Sequence, residues 1–294
     1  MRTNSRAQAF PLTPPQTRPP RISAARLLIY AIMIGLVLLI LVPLWWMVST
    51  SLKPQAYILK MPPDLIPNPL SFESYATLAQ QVDLARTFFN SLFVGVVSTA
   101  GQVLVASMAA YAFSRMKWRG RNVVFLLYLA TMMIPSVVLV IPQFILIRLL
   151  GWTNTYWALI IPPLFNAFGT FLLRQAFQAL PRDFEEAAFI DGANHFTVFW
   201  RVLLPLVKPT LATLTVLSFM GSWNAYLWPL FVARTPLVKT LPVVLAELQG
   251  GPQALTEWNV VMAGAVVTVL PLLIAYVLAQ KWFVQSVVSN GIKG

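Results

Sequence analysis

The amino-acid sequence predicts an all-α membrane protein that crosses the bilayer six times. Of its 294 residues, 58% are hydrophobic and only 10% are charged, and the mean hydropathy is +0.71. A soluble domain of this length would carry far more charge on its surface. Several apolar runs also approach or exceed the roughly 20 residues that a helix needs to cross a bilayer. The predicted fold class is therefore a polytopic helical membrane protein.

Six apolar segments are long enough to be transmembrane helices, and they lie at 27–49, 87–112, 123–147, 157–177, 207–228 and 260–284. The first follows a positively charged leader and is too long for the core of a signal peptide, so it is predicted to be an uncleaved anchor. The fourth is interrupted by Pro162, Pro163, Asn166 and Gly169. Such breakers are tolerated in a membrane when neighbouring helices satisfy the freed backbone groups.

The basic residues are distributed unevenly between the two sides of the membrane. With the six segments in alternating direction, 15 of the 21 Lys and Arg residues fall on one side and six on the other. This asymmetry follows the positive-inside rule and places both termini in the cytoplasm. The net charge of +12 therefore reflects membrane topology, and no nucleic-acid partner is predicted.

Three regions are predicted along the chain. Residues 1–22 are rich in Pro, Arg, Thr and Gln, and a segment of this composition cannot bury enough apolar area to offset its ordering entropy, so it is predicted to be disordered in the cytoplasm. Residues 23–284 form the transmembrane domain, with a large cytoplasmic loop at 181–209. Residues 285–294 are predicted to be a cytoplasmic tail.

The predicted spans have no Asp, Glu, His, Lys or Arg near their centres. Ion-coupled transporters and pumps usually carry ionisable residues at that depth, because the coupling ion must be bound and released. The chain has no cysteine, one histidine and no Gly-rich Lys-Ser/Thr phosphate loop, so an intramembrane enzyme, a metal site and a cofactor are not predicted. If the protein moves a solute uphill, the energy must come from another subunit.

The loop 181–209 is predicted to form a helix–turn–helix on the cytoplasmic side. Its acidic residues crowd the first helical turn, where the helix dipole favours them. Asp183 and Glu186 have the spacing of a capping box. Gly192 suits the end of this helix, and Asn194 can cap a second one.

One face of the first predicted helix carries Phe184, Ala187, Ala188 and Asp191, and the two alanines permit close approach of another surface. The alternative is an ordinary amphipathic loop on the lipid surface. Basic rather than acidic residues would be expected there, because the inner leaflet is anionic. His195, the single histidine, is more typical of a helix start or surface position than of a ligand or base.

A pattern in this loop resembles the EAA loop of binding-protein-dependent ABC importer permeases. It begins with Glu186, Ala187 and Ala188, which are separated from Gly192 by three residues. Nine residues then separate Gly192 from Val202, Leu204 and Pro205 at the end of the pattern. The resemblance continues over most of the chain after residue 70 through motifs similar to the sugar-permease branch, among them Asn90-Ser91, Met132-Met133-Ile134-Pro135, Trp223-Asn224-x-x-Leu227-Trp228-Pro229 and the ending Gly291-Ile292-Lys293-Gly294. Ala225 departs from it, because the family often has an acidic residue there. The resemblance implies a six-helix ABC importer permease (MetI-like) fold.

The resemblance also implies partners and roles. A dimer of ABC ATP-binding subunits would accept the loop as a coupling helix and hydrolyse the ATP. A second homologous permease subunit would complete the pore, and an extracytoplasmic solute-binding protein would deliver the solute. Glu186 would be the charged contact to the ATPase, and the other coupling residues would be Ala187, Ala188, Asp191, Gly192, Leu204 and Pro205.

A sugar or oligosaccharide is the solute that the resemblance favours, and the alternative is the same machinery importing a polyamine or an amino acid. A stand-alone secondary transporter or membrane enzyme is disfavoured by the uncharged spans. Trp223, Asn224, Tyr226 and Trp228 near the outer half of the fifth span are candidates for a substrate path. Aromatic residues at this depth also form interfacial belts, and the structural interpretation is favoured.

Overall fold

The computed structural model describes residues 24–249 and 256–291, and within these ranges the chain is almost entirely helical and contains no β-strand. The α-helices are α1 (Ala24–Ser51), α2 (Glu73–Gln81), α3 (Leu84–Ser114), α4 (Arg121–Ala130), α5 (Ser136–Leu149), α6 (Tyr156–Ile160), α7 (Ala167–Gln178), α8 (Asp183–Ile190), α9 (His195–Thr197), α10 (Leu204–Leu206), α11 (Lys208–Trp223), α12 (Leu227–Val232), α13 (Leu241–Gln249) and α14 (Trp258–Gly291).

The chain divides into two compact units, residues 1–46 and 47–294. In the first unit the described part is the N-terminal portion of α1, and the predicted disordered segment 1–22 lies outside the described residues. The second unit contains the other helices. Helix α14 continues to Gly291, so most of the segment predicted as a tail is helical.

Three described helices are individually long and apolar enough to cross a membrane, at Arg26–Ser51, Leu84–Ser114 and Trp258–Val277. They coincide with the first, second and sixth predicted spans. Three further pairs of helices pass the same test only when each bent pair is taken together, which gives up to six spans. The prediction of a polytopic helical membrane protein is confirmed.

The third predicted span, 123–147, consists of two helices and not one, and this break was not predicted. Helix α4 ends at Ala130, a 3₁₀ turn follows, and α5 begins after Pro135, with a bend of 102° between the two segments. The residue before a proline is disfavoured in the helical region of backbone space. Ile134 accordingly adopts an extended conformation, with φ −83° and ψ 117°.

The fourth span is interrupted near its proline, asparagine and glycine residues, as predicted. Its two halves, Tyr156–Leu164 and Ala167–Gln178, meet at an angle of 42°. The fifth differs from its prediction, because α11 ends at Trp223 and a separate helix α12 follows. At its other end, α11 meets the segment His195–Leu206 at 84°. The predicted fifth span, 207–228, thus corresponds to α11 and the beginning of α12.

Helix α3 is the centre of the second unit, and it packs against α7 and α11. Small residues permit close approach: a Cβ added at Gly169 would lie 2.9 Å from Leu214 and 3.3 Å from the Cβ of Ala106. One apolar cluster surrounds Tyr111 near the end of α3, and a second includes Val94 nearer its beginning. At 1.5 Å per residue these positions are about 26 Å apart along the helix.

Candidate functional site

Helix α8 and the turn after it lie beside the C-terminal end of α3, where the sequence predicted a helix–turn–helix. The helix begins at Asp183, and the residue that precedes it, Arg182, makes no side-chain cap. The predicted capping box between Asp183 and Glu186 is therefore wrong. Acidic side chains do occupy the first turn, where they complement the helix dipole.

The turn after α8 has the predicted geometry. Gly192 has φ +82°, and its N–H donates to Phe189 O at 3.0 Å while the N–H of Ala193 donates to Ala188 O at 2.9 Å. These bonds satisfy carbonyls at the helix end in the manner of a glycine-terminated helix. Asn194 then accepts a hydrogen bond from the N–H of Thr197 through Oδ1 at 2.8 Å, as predicted for a cap.

Replacing Gly192 by valine is expected to loosen the end of α8, because a left-handed conformation costs an L-residue about 1–2 kcal/mol. A Cβ at this position meets no atom within 4 Å, so the effect would come from the backbone and not from a clash. Amide hydrogen exchange across α8 would measure it, with faster exchange expected in the variant. Gly192→Asn is the control and should lose less protection, since asparagine tolerates this conformation better. Equal exchange in the glycine and valine proteins would contradict the assignment.

The outer face of α8 is exposed. Phe184 is 47% exposed and Ile190 85% exposed, and Glu186, Ala187 and Asp191 are exposed as well. The exposed side chains of Phe184 and Ile190 give this face an apolar component beside its acidic residues.

Two of the predicted coupling residues instead face the protein's own core. Ala188 is half-buried and packs against the apolar cluster around Tyr111, so the predicted face of α8 was partly wrong. Leu204 packs against the same cluster, whereas Pro205 is exposed. The structure therefore brings the loop residues together but divides them between an outer and an inner surface.

Glu185 is the acidic residue that the sequence analysis missed. It is buried, and its Oε1 lies 2.8 Å from Nη1 of Arg115 in an ion pair without the alignment of a hydrogen bond. The pKa of the Glu185 carboxyl is raised by burial, and the positive charges of Arg115 and Arg182 oppose this rise. The available signal was helical spacing, because Glu185 precedes the inward Ala188 by three residues.

The helix after the turn is held by aromatic contacts. His195 begins α9, which confirms its interpretation as a helix-start residue, and its Nδ1 lies 3.0 Å from the hydroxyl of Tyr111. The Tyr111 ring contacts Phe177 and Phe199 at centroid distances of 6.4 and 5.3 Å. This half of the loop is thus bound to α3 and α7 through the apolar cluster.

A second candidate site is a cleft of about 620 Å³ between the helices of the second unit. Among the described residues, every side chain that lines it is uncharged. Its polar members come from helices far apart in sequence, and they include Ser91, Ser98, Gln102, Thr131, Ser136, Gln143, Asn166, Ser218, Ser222 and Thr240.

Three of the polar side chains form a chain across the cleft. Gln102 donates through Nε2 to Ser222 Oγ at 3.2 Å, and Asn166 donates through Nδ2 to Gln102 Oε1 at 3.4 Å. Ser98 and Ser218 carry buried hydroxyls without a hydrogen-bond partner in this part of the structure. The cleft therefore presents hydroxyl and amide side chains along its lining, as a site for a polar, neutral solute would.

The four predicted substrate-path residues have different surroundings. Trp223 is 1% exposed and donates from Nε1 to Thr268 O at 3.0 Å, and Trp228 donates to Ala158 O at 2.8 Å. Both rings border the cleft but are fixed by these bonds, which supports their structural interpretation. Asn224 and Tyr226 are exposed beyond the end of α11.

Comparison with known proteins places the chain in a family. Residues 102–289 match the family described as the binding-protein-dependent transport system inner membrane component. The arabinooligosaccharides transport system permease protein of Bacillus subtilis is 32% identical over 94% of this chain and 98% of its own length. The lactose transport system permease protein of Rhizobium radiobacter is 34% identical over 74% of this chain and 80% of its own.

Other relatives are named for different substrates. The sn-glycerol-3-phosphate transport system permease protein of Yersinia enterocolitica is 32% identical over 86% of this chain and 92% of its own length. A bacterial ABC transporter involved in the import of the acidic polysaccharide alginate contains a chain with a TM-score of 0.77 and 27% identity, covering 92% of this chain and 100% of that one.

The fold and the sequence matches agree with each other. A second solved structure, of an alginate ABC transporter in complex with its ligand-bound periplasmic protein, has a TM-score of 0.62 at 16% identity and supports the fold alone. The chain belongs to the family of binding-protein-dependent transport system inner membrane components, and it is a multi-pass permease subunit of an ABC importer in which a partner subunit hydrolyses the ATP.

Proposed function

We propose that this subunit forms part of the path of a neutral sugar or oligosaccharide, and the observation that carries the proposal is the uncharged polar cleft. Hydroxyl and amide side chains can exchange hydrogen bonds with the hydroxyl groups of a sugar. A cationic polyamine would need acidic lining residues, and an anionic solute would need basic ones, because an unpaired charge in a site of low polarity is costly. The described lining residues include no acidic and no basic side chain.

The relatives support a carbohydrate but differ in charge. Two are named for arabinooligosaccharides and for lactose, which are neutral, whereas others are named for glycerol 3-phosphate and alginate, which are anionic. Because its cleft is uncharged, this chain is expected to take a neutral solute, like the solutes for which the first two relatives are named. The alternative of a polyamine or amino acid has no supporting contact among the described residues.

The exposed face of α8 is the proposed docking surface for the ATP-binding subunit dimer. Glu186, Ala187 and Asp191 are available there, with Phe184 and Ile190 as apolar anchors. Gly192 and Pro205 shape the loop, and Ala188 and Leu204 attach it to the core from the inner side. A second homologous permease subunit would complete the pore, and an extracytoplasmic binding protein would deliver the solute.

The proposed orientation places α8 and both termini on the cytoplasmic side. The basic residues after α3, from Arg115 to Arg121, lie at the same end of that helix as α8. This end carries the positive charge that the inner side of a membrane protein favours. The six spans of this orientation are the three uninterrupted helices and three interrupted ones.

The proposal is tested by identifying the ligand and then its transport. The binding protein of the system is screened by thermal shift against neutral oligosaccharides, alginate oligosaccharides, glycerol 3-phosphate and polyamines. Compounds that bind are then offered to vesicles that contain the complete transporter. Uptake is measured with and without ATP on the side of the membrane where the ATP-binding subunits lie. We expect ATP-dependent uptake of a neutral saccharide. Uptake of a charged solute alone, or uptake that needs an ion gradient and not ATP, would overturn the proposal.

A further inference from the structure

Arg115 lies where three helices meet, at the residue that ends α3. Its backbone N–H donates to Tyr111 O at 2.9 Å, which continues the helical bonding of α3. Its guanidinium donates through Nη2 to Phe177 O and, at 2.7 Å, to Leu180 O, at the C-terminal end of α7. Its Nη1 forms the ion pair with Glu185 of α8. One side chain therefore contacts α3, α7 and α8 together.

The burial of this junction separates it from the other ion pairs of the described chain. The Arg115 side chain is 4% exposed and that of Glu185 is 11% exposed, whereas in each of the pairs Lys60–Asp64, Arg86–Asp83 and Lys239–Glu247 at least one side chain is considerably more exposed. A buried pair contributes little net stability, because desolvation offsets the attraction, but removing one partner leaves a costly buried charge. Net stabilisation is therefore not the effect expected of this pair.

Helix α8 has few other attachments to α3 and α7. Most of its side chains are exposed, its apolar attachment to the core is the half-buried Ala188, and the Phe189 ring contacts the His195 ring at a centroid distance of 5.0 Å. The following helix is held separately, through Tyr111 and the aromatic cluster. Glu185 is thus the polar anchor of α8 itself, and Arg115 supplies the charge that holds it.

We propose that Arg115 and Glu185 are positioning residues that make α8, α3 and α7 move as one rigid body when the ATP-binding subunits displace α8. The inference rests on the proposed docking of those subunits on α8. It adds that the displacement reaches the solute path through the Arg115 junction, because α3 and α7 carry Ser98, Gln102 and Asn166 at or next to the cleft. Without the junction, α8 would be held to α3 and α7 only by Ala188 and, through His195, by the following helix, so it is expected to shift relative to them.

Spin-label distances test this motion directly, and because this chain has no native cysteine, the labelling is specific once any cysteines of the partner subunits have been replaced. Cysteines replace Asp183 at the start of α8 and Met108 on the exposed side of α3. Distances are measured in the complete transporter without nucleotide and with ATP plus vanadate. In the otherwise unchanged protein we expect the same distance in both states. In Glu185→Gln we expect ATP to change it by at least about 2 Å, the size of helix shifts in switching transitions.

Two further variants make the test decisive. Arg115→Gln combined with Glu185→Gln leaves no unpaired buried charge, so it should assemble even if the single variant does not, and it should show the same ATP-dependent change. Glu247→Gln removes one partner of an exposed ion pair and should leave the distance constant. A purely structural role would lower the amount of complex without creating an ATP-dependent distance.

The outcomes also separate this inference from the proposed docking. ATP hydrolysis by the purified labelled complex is followed in parallel and shows that the ATP-binding subunits are docked. A constant distance in both Gln variants, or a distance that already changes in the unaltered protein, would overturn the role of the junction. If a variant of the outer face of α8 retained both subunit binding and ATP hydrolysis, the proposed docking surface would be overturned instead.

Discussion

Replacing Ala187 by tryptophan is expected to release the ATP-binding subunits and abolish transport while the chain remains in the membrane. Ala187 lies on the exposed face of α8, between the exposed side chains of Phe184 and Ile190. Because it is exposed, the larger side chain should not disturb the fold of the isolated subunit. At a close-fitting interface, overpacking costs about 1–3 kcal/mol, and every 1.4 kcal/mol weakens binding about tenfold. Co-purification of the ATP-binding subunits with the tagged permease measures the effect.

The matched control for Ala187 is Ala76→Trp. Ala76 is also an exposed alanine in a short helix, α2, on the opposite side of the membrane in the proposed orientation. This variant should retain the ATP-binding subunits at the level of the unaltered protein. If Ala187→Trp retained them equally well, α8 would not be the docking surface.

The second large effect is expected from Gly221→Trp, which should reduce transport to background. Gly221 borders the uncharged cleft, and a Cβ added there meets no atom within 4 Å. A tryptophan ring can therefore occupy space in the cleft without displacing a neighbour at its point of attachment. Uptake into vesicles is measured beside co-purification of the partner subunits, which should be unchanged because the residue is remote from α8.

Two controls accompany the cleft variant. Gly221→Ala adds only a methyl group in open space and should transport at the normal rate. Gly35→Trp adds the same ring to α1, again with no atom within 4 Å of the new Cβ, and reports any general effect of an extra tryptophan in a membrane helix. Normal uptake by Gly221→Trp would mean that the solute does not pass through this cleft.

Features that depend on a few adjacent residues could be predicted from the sequence. The apolar runs located the membrane helices, and the breakers located the interruption of the fourth span. Gly192 and Asn194 were recognised as the end of one helix and the cap of the next, because both roles depend on local backbone chemistry. The spaced residues of the loop were sufficient to indicate the family.

Features that depend on contacts between distant segments could not be predicted from the sequence. One local feature was missed as well: Pro135 is a signal for the 102° bend, but apolar content alone does not distinguish a straight span from a bent one. Glu185 and Glu186 are adjacent and chemically alike, and the buried one is the one that pairs with Arg115, 70 residues earlier in the chain. The same applies to the cleft, whose polar side chains come together only in the fold.

The aromatic residues illustrate the same limit. Trp223 and Trp228 were named as candidates for a substrate path, and both do border the cleft. Their ring nitrogens, however, donate to backbone carbonyls of residues 268 and 158, which the sequence alone could not pair with them. Side chains held in this way can shape a cavity without adjusting to a solute.

The uncharged lining of the cleft also has an electrical consequence. A membrane potential does work of about 2.3 kcal/mol per 100 mV on each elementary charge that crosses it, and none on a neutral group. A neutral sugar moving past side chains without charge therefore carries no current through this part of the subunit. The voltage across the membrane neither drives nor opposes this passage, so the direction of transport is left to the binding protein and to ATP.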